Sequence, residues 1–187
     1  MRRFMMATEW PTRVWGRIAL GTSIFGCAAL VADRSAAFAQ ALAPFNLLTA
    51  RATCQILHWL GMDVQREVAT LTHPGGFSYQ IALTCTGLIP GGLLAAAILC
   101  GGSHWRSRLW AAGCGVVAVL ILNLVRLVSL FYIGVRYPGA FGFAHSVVWQ
   151  GLTLAFVVGF FLLWKLRGIP ASASRQHIQL NEPSNCV

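Results

Sequence analysis

Three side chains in this sequence hold the parts of an acyl transfer: a thiol, a fixed cation and an imidazole. Cys85 stands in Thr84-Cys85-Thr86-Gly87 at the mouth of an apolar segment, with Pro90 shortly after it. Proline suits a first helical turn, where its missing N–H is not needed. Cys85 is therefore expected near a helix N terminus, where the dipole and free N–H groups favour a thiolate. Arg126 is the one charge in the run from Leu109 to Val135. A charge inside a spanning helix is costly, about 3 kcal/mol on insertion scales, and usually faces a functional interior. Arg126 lies roughly 13 Å of helix from Val135, too deep to snorkel easily to an interface. Asn123 sits one turn away on the same face and is expected to orient the guanidinium. His145 opens the next apolar segment.

Each of these residues alone has an ordinary account. A lone cysteine is most often a small buried apolar residue, and that account suits Cys27, Cys100 and Cys114, which lie inside apolar runs. A lone histidine at a span end is most often an interfacial polar group. Helix arithmetic changes the odds. Counting from the opposite ends of their segments, Cys85 is about 24 Å from Gly101, Arg126 about 26 Å from Leu109 and His145 about 28 Å from Trp164. Three different spans thus place the three groups near one depth. In that arrangement a thiolate attacks a carbonyl, His145 moves the proton, and Arg126 stabilises the developing oxyanion. The sequence has no GxSxG elbow and no HExxH zinc motif.

The elements that must position these groups follow from composition. Hydrophobic residues make up 57% of the 187 and charged residues 10%. A soluble domain of this size needs more charge to cover its surface, so the expected class is an α-helical integral membrane protein. A spanning helix takes about 20 mostly apolar residues. Four segments qualify, at about 14–32, 85–101, 109–135 and 146–164. Between the first two, Phe45, Leu48, Ala52, Ile56, Trp59 and Leu60 recur at helical spacing up to Gly61, which predicts an outer amphipathic helix. Val64–Thr72 and the alternating Phe77–Leu83 flank His73-Pro74-Gly75-Gly76, which predicts a short β-hairpin delivering the chain into the second span. The domain reading is one membrane-embedded unit over 1–168, with an outer segment over 33–84, and a polar tail over 169–187.

The net charge of +9 has no basic stripe of the kind nucleic acid requires, so no nucleic-acid partner is expected. The basic residues sit beside the spans instead. Arg2, Arg3 and Arg13 precede the first, Arg106 and Arg108 fill the connection of the second to the third, and Lys165, Arg167 and Arg175 follow the fourth. By the positive-inside rule both termini face the cytoplasm, and Cys85, Arg126 and His145 face outward across the inner membrane. Arg2, Arg3, the apolar run and Ala37-Phe38-Ala39 also resemble a cleaved secretory signal. Asp33 and Arg34 between the apolar core and that site favour an uncleaved anchor. The six cysteines include no CxxC, and no histidine stands at metal-ligand spacing from a cysteine pair, so neither metal nor other cofactor is expected.

Cys85-Thr86-Gly87 in its Thr-Cys-Thr-Gly context, then Asn123-Leu124-Val125-Arg126, then His145, resemble the exosortase/archaeosortase family over about Leu48 to Lys165. The resemblance implies a membrane-embedded cysteine protease or transpeptidase with a Cys85, Arg126, His145 triad. It implies as partner an exported protein ending in a short motif, a hydrophobic helix and a basic cluster. Many members are longer and have more spans, so this chain is similar to the compact variants. Two other classes fit parts of the pattern. Arg126 and His145 in a non-enzymatic membrane module would bind an anionic lipid head group or a partner carboxylate. A quinone-linked thiol oxidoreductase would use Cys54 with Cys85, although it lacks the usual CxxC.

Overall fold

The computed structural model describes residues 12–33, 35–82, 85–101 and 104–167. Arg2, Arg3, Arg34, Thr84 and the expected polar tail over 169–187 lie outside the described residues. Helix α1 (Thr12–Asp33) is followed by α2 (Ala36–Trp59), a small sheet of β1 (Gln65–Glu67), β2 (Thr70–Thr72) and β3 (Ser78–Gln80), then α3 (Leu88–Cys100) and α4 (Trp105–Arg136). The short α5 (Pro138–Phe143) runs through a π-helical turn, Ala144–Val148, into α6 (Trp149–Arg167).

Among the described residues, two helical stretches are long and apolar enough to cross a membrane, Trp105–Arg136 and Pro138–Leu166. Their outward faces carry exposed Trp110, Val117, Ile121, Val125, Leu154 and Leu163. Apolar side chains facing away from the protein are what a lipid surrounding selects. The expected span over 85–101 is shorter as a helix. Its first three residues form a turn, and α3 has 13 residues, about 20 Å against a hydrocarbon core of about 30 Å. The physical cause is Gly87, whose left-handed backbone (φ 78°) stops the helix from extending back to Cys85.

Helices α1, α3, α4 and α6 meet at one end. The Lys165 ammonium lies 4.1 Å from the centre of the Trp15 ring. Arg108 donates to the carbonyls of Leu99 and Gly101 at 2.6 and 2.9 Å, which satisfies the frayed C terminus of α3 with a cation. Leu94, Ile98, Ala112 and Val119 form the core of this half, with Phe156, Phe160 and Trp164 of α6 packed against it.

The opposite half has its own core, made by α2, the sheet and the last turns of α4: Ala50, Leu57, Leu71, Ile81, Leu127 and Phe131 are fully or almost fully buried there. Helix α2 is present where expected, but its orientation differs from the expected one. Thr49, Ala50, Thr53, Cys54 and Leu57 face the protein, while Leu48, Trp59 and Leu60 of the apolar stripe are exposed. The exposed face also carries Arg51, Gln55 and His58, so α2 packs on the protein mainly through small residues and turns a mixed polar and apolar face outward. The expected hairpin is a three-stranded antiparallel meander in the order β1-β2-β3, with Thr70 opposite both Glu67 and Gln80. Its first turn lies inside the predicted Val64–Thr72 arm, where Val68 adopts φ 56°. No sequence signal marks that turn, since β-branched residues rarely take a left-handed conformation. The second arm keeps its alternation, with Tyr79 and Ile81 buried and Ser78 and Gln80 exposed.

Candidate active site

Cys85 sits between the sheet and α3, in a tight turn held by its N–H donating to the Ala82 carbonyl at 2.9 Å. The thiol is buried, two residues ahead of Gly87, which caps α3 and whose carbonyl accepts the first helical hydrogen bond, from Gly91 at 3.0 Å. A Cβ at Gly87 would lie 3.0 Å from the Asn123 Cβ, so the turn and α4 are in close contact. Asn123 is buried and donates its amide N–H to the Cys85 carbonyl at 2.7 Å. Its partner is thus the backbone of the cysteine turn, where the sequence pointed to the guanidinium. One amide ties the turn to α4, one helical turn from Arg126.

Arg126 lies inside the protein, 8% exposed. Its Nη2 is 3.4 Å from the Nε2 of His145, and its buried Nε has no hydrogen-bond partner among the described residues. A guanidinium offers only donors. The Nε2 facing it therefore presents a lone pair, and the neutral imidazole with its proton on Nδ1 is the form that fits. The same Nε2 lies 4.0 Å from the Cys85 Sγ. One nitrogen thus faces both the thiol and the cation.

His145 owes its position to the π-helical turn. An inserted residue rotates the following helix by about 100° relative to a regular α-helix, and such bulges recur at functional sites. The ring is fixed by neighbours: it stacks on Phe141 at 5.8 Å and meets Tyr79 edge to face at 6.4 Å. Phe141 also contacts Phe77, and Phe77 packs against Phe131 of α4, so the sheet, α4 and α5 form one aromatic wall beside the histidine. His145 itself is partly exposed, which leaves the site open on that side.

The structure brings Cys85, Arg126 and His145 together from three elements distant in sequence. Cys54 belongs to the same core as Cys85, and both thiols are free. His58 bonds through Nε2 to the Val64 carbonyl at 2.9 Å and His73 accepts from the Gly75 N–H at 2.9 Å, so both serve the outer segment's backbone. Two features escaped the sequence. The π-helical turn has no composition signature in Ala144–Val148. Tyr79 was legible in part: the alternation of β3 puts it on the inward face with Ile81, yet nothing in the pattern shows that its ring joins the site. That ring packs in one core with Cys85 and meets His145 edge to face, and its buried hydroxyl has no hydrogen-bond partner among the described residues. No cluster of metal-ligating side chains occurs among the described residues.

No match was found among curated proteins or solved structures. The sequence does match one family model over residues 6–165, which extends the likeness from α2 back through α1, and the chain belongs to that family, the transmembrane exosortases (Exosortase_EpsH).

Proposed function

We propose that this exosortase-family protein is a cysteine transpeptidase or protease that cleaves a C-terminal sorting signal of exported proteins at the outer face of the inner membrane. The observation that carries the reading is the single His145 nitrogen, 4.0 Å from the Cys85 sulfur and 3.4 Å from the Arg126 guanidinium. Distances of this size are usual for catalytic groups before substrate tightens them.

In the proposed cycle the Cys85 thiol gives its proton to Nε2 of His145, and the thiolate attacks the carbonyl carbon of the scissile peptide. The carbonyl oxygen becomes an oxyanion and accepts hydrogen bonds from Arg126, whose unpartnered Nε is a donor free for it. Substrate oxygen then competes with Nε2 for the guanidinium, which frees the imidazole to hold the proton. Collapse of the intermediate breaks the C–N bond, and His145 protonates the departing amine. A thioacyl enzyme remains. An incoming amine or water, deprotonated by His145, attacks the thioester and releases the thiolate. Asn123 fixes the Cys85 turn throughout and has no part in proton transfer.

In the same reading α1 and α3 join the two long apolar stretches as membrane-inserted helices, giving four in all. The basic residues Arg106, Arg108, Lys165 and Arg167 mark the cytoplasmic end, and the site lies at the other end. The test is a reporter ending in a short motif, one hydrophobic helix and an arginine cluster, co-expressed with the protein and followed by its mass shift on immunoblots. Cys85→Ala should leave the reporter uncleaved, while Cys100→Ala and Cys114→Ala should process it. Normal cleavage by Cys85→Ala would remove the nucleophile and the proposal with it.

A further inference from the structure

Tyr79 is the polar group that the proposed cycle does not use. It lies on β3, outside the long helices, with 8% of its surface exposed. The phenol ring is wedged between Phe141, at 5.6 Å, and His145, at 6.4 Å, both edge to face. Its hydroxyl is shut off from solvent and has no hydrogen-bond partner among the described residues, although the residue shares a core with Cys85 and packs on His145, whose Nε2 is 4.0 Å from the Cys85 sulfur. A buried donor left without an acceptor carries its full desolvation cost. Such a group is retained where an acceptor arises in the working state.

We propose that the Tyr79 hydroxyl is a hydrogen-bond donor to the Cys85 thiolate. It rests on the reading of Cys85 as the nucleophile. A neutral thiol is a weak acceptor and leaves the hydroxyl idle. Once the thiol proton has moved to His145, the sulfur carries a full charge at the place the hydroxyl faces, and the O–H closes onto it. Tyrosine keeps its own proton throughout. Burial first, and the neighbouring Cys85 charge second, push its ionisation above the usual phenol range, against the opposing pull of Arg126. It therefore acts as a donor and does not compete with His145 as base. The same donor holds the thiolate when it leaves the thioester in the second half of the cycle. Three groups then set the charge on sulfur: Tyr79 from the sheet, Arg126 from α4 and His145 from the π-helical turn.

The experiment measures the rate of Cys85 alkylation by iodoacetamide against pH in the full chain in detergent, with the Cys85 peptide quantified by mass spectrometry. Tyr79→Phe keeps the ring packing and removes the hydroxyl, and should raise the midpoint by about one to two units, the size of a hydrogen bond to a charged group. A purely structural tyrosine would leave it in place. 3-Fluorotyrosine at position 79, a stronger donor of nearly equal size, should move the midpoint the other way and serves if the phenylalanine variant fails to fold. A midpoint that neither change moves would overturn the role of Tyr79 alone. Reporter cleavage by Cys85→Ala at the wild-type rate would overturn it together with the nucleophile on which it rests.

Discussion

Replacing Arg126 with lysine keeps the charge and removes the geometry, so it asks which of the two the site uses. The guanidinium has two distinct edges here: Nη2 is 3.4 Å from His145, and Nε is buried without a partner among the described residues. A planar fork can hold the neutral histidine through one N–H and then meet an oxyanion through others, whereas an ammonium is one point charge on a flexible stem. A lysine at this depth also loses its proton more readily, since burial disfavours the charged form. Losing one oxyanion donor typically costs about 10²–10³ in rate, or roughly 3–4 kcal/mol of transition-state stabilisation. Arg126→Lys should therefore insert and accumulate like the wild type, bind the reporter, and process it at least about a hundredfold more slowly. The assay is a time course of reporter cleavage, with the enzyme level normalised by immunoblot. Turnover within about threefold of wild type would refute the reasoning, because a loss of one donor is worth at least ten times more than that. Arg126 would then supply charge for folding or lipid contact, and the oxyanion would need another donor.

The remaining predictions concern the turn that carries Cys85 and the orientation of the whole. Gly87→Ala should destabilise the protein by about 1–2 kcal/mol through its left-handed backbone alone, and slow processing further by pressing on Asn123, whose Cβ would lie 3.0 Å away; an unchanged melting temperature in detergent together with a normal rate would contradict this. Ser78→Cys places a thiol on the exposed face of β3, and it should react with a membrane-impermeant maleimide in intact cells if the site faces outward. Labelling of that thiol only after the inner membrane is permeabilised would reverse the topology.

The parts of this molecule that sequence reveals are those where one physical demand acts alone. Arg126 is legible because a charge in a long apolar run has few tolerable positions, and the helix boundaries around it follow from the same run. Cys85 and His145 are legible as partners because α-helical rise converts residue counts into depth. The apolar stripe on α2 is equally clear, yet its orientation is not, because Thr53 and Cys54 take the inward face and leave Leu48, Trp59 and Leu60 outside. The extra turn within Val64–Thr72 was invisible for another reason: tertiary contacts hold Val68 in a conformation its own propensity disfavours.

The features that escaped the sequence all bear on aim rather than depth. Helix arithmetic sets how far along the membrane a residue lies, and leaves its direction around the helix axis open. Three separate devices set that direction. The left-handed Gly87 ends α3 early and leaves the Cys85 turn free to bend toward α4. The Asn123 amide, bound to the Cys85 carbonyl instead of the guanidinium, holds that turn at a fixed distance from Arg126. The π-helical turn rotates His145 against the run of α6, so that one nitrogen faces both partners. Two of these devices act on the Cys85 turn and the third on His145, and none of them touches the apolar pattern from which the spans were read. A chain can therefore keep its membrane architecture under substitutions that abolish the geometry of the site, which is why Gly87, Asn123 and Ala144–Val148 are better probes of the proposed chemistry than any residue of the two cores.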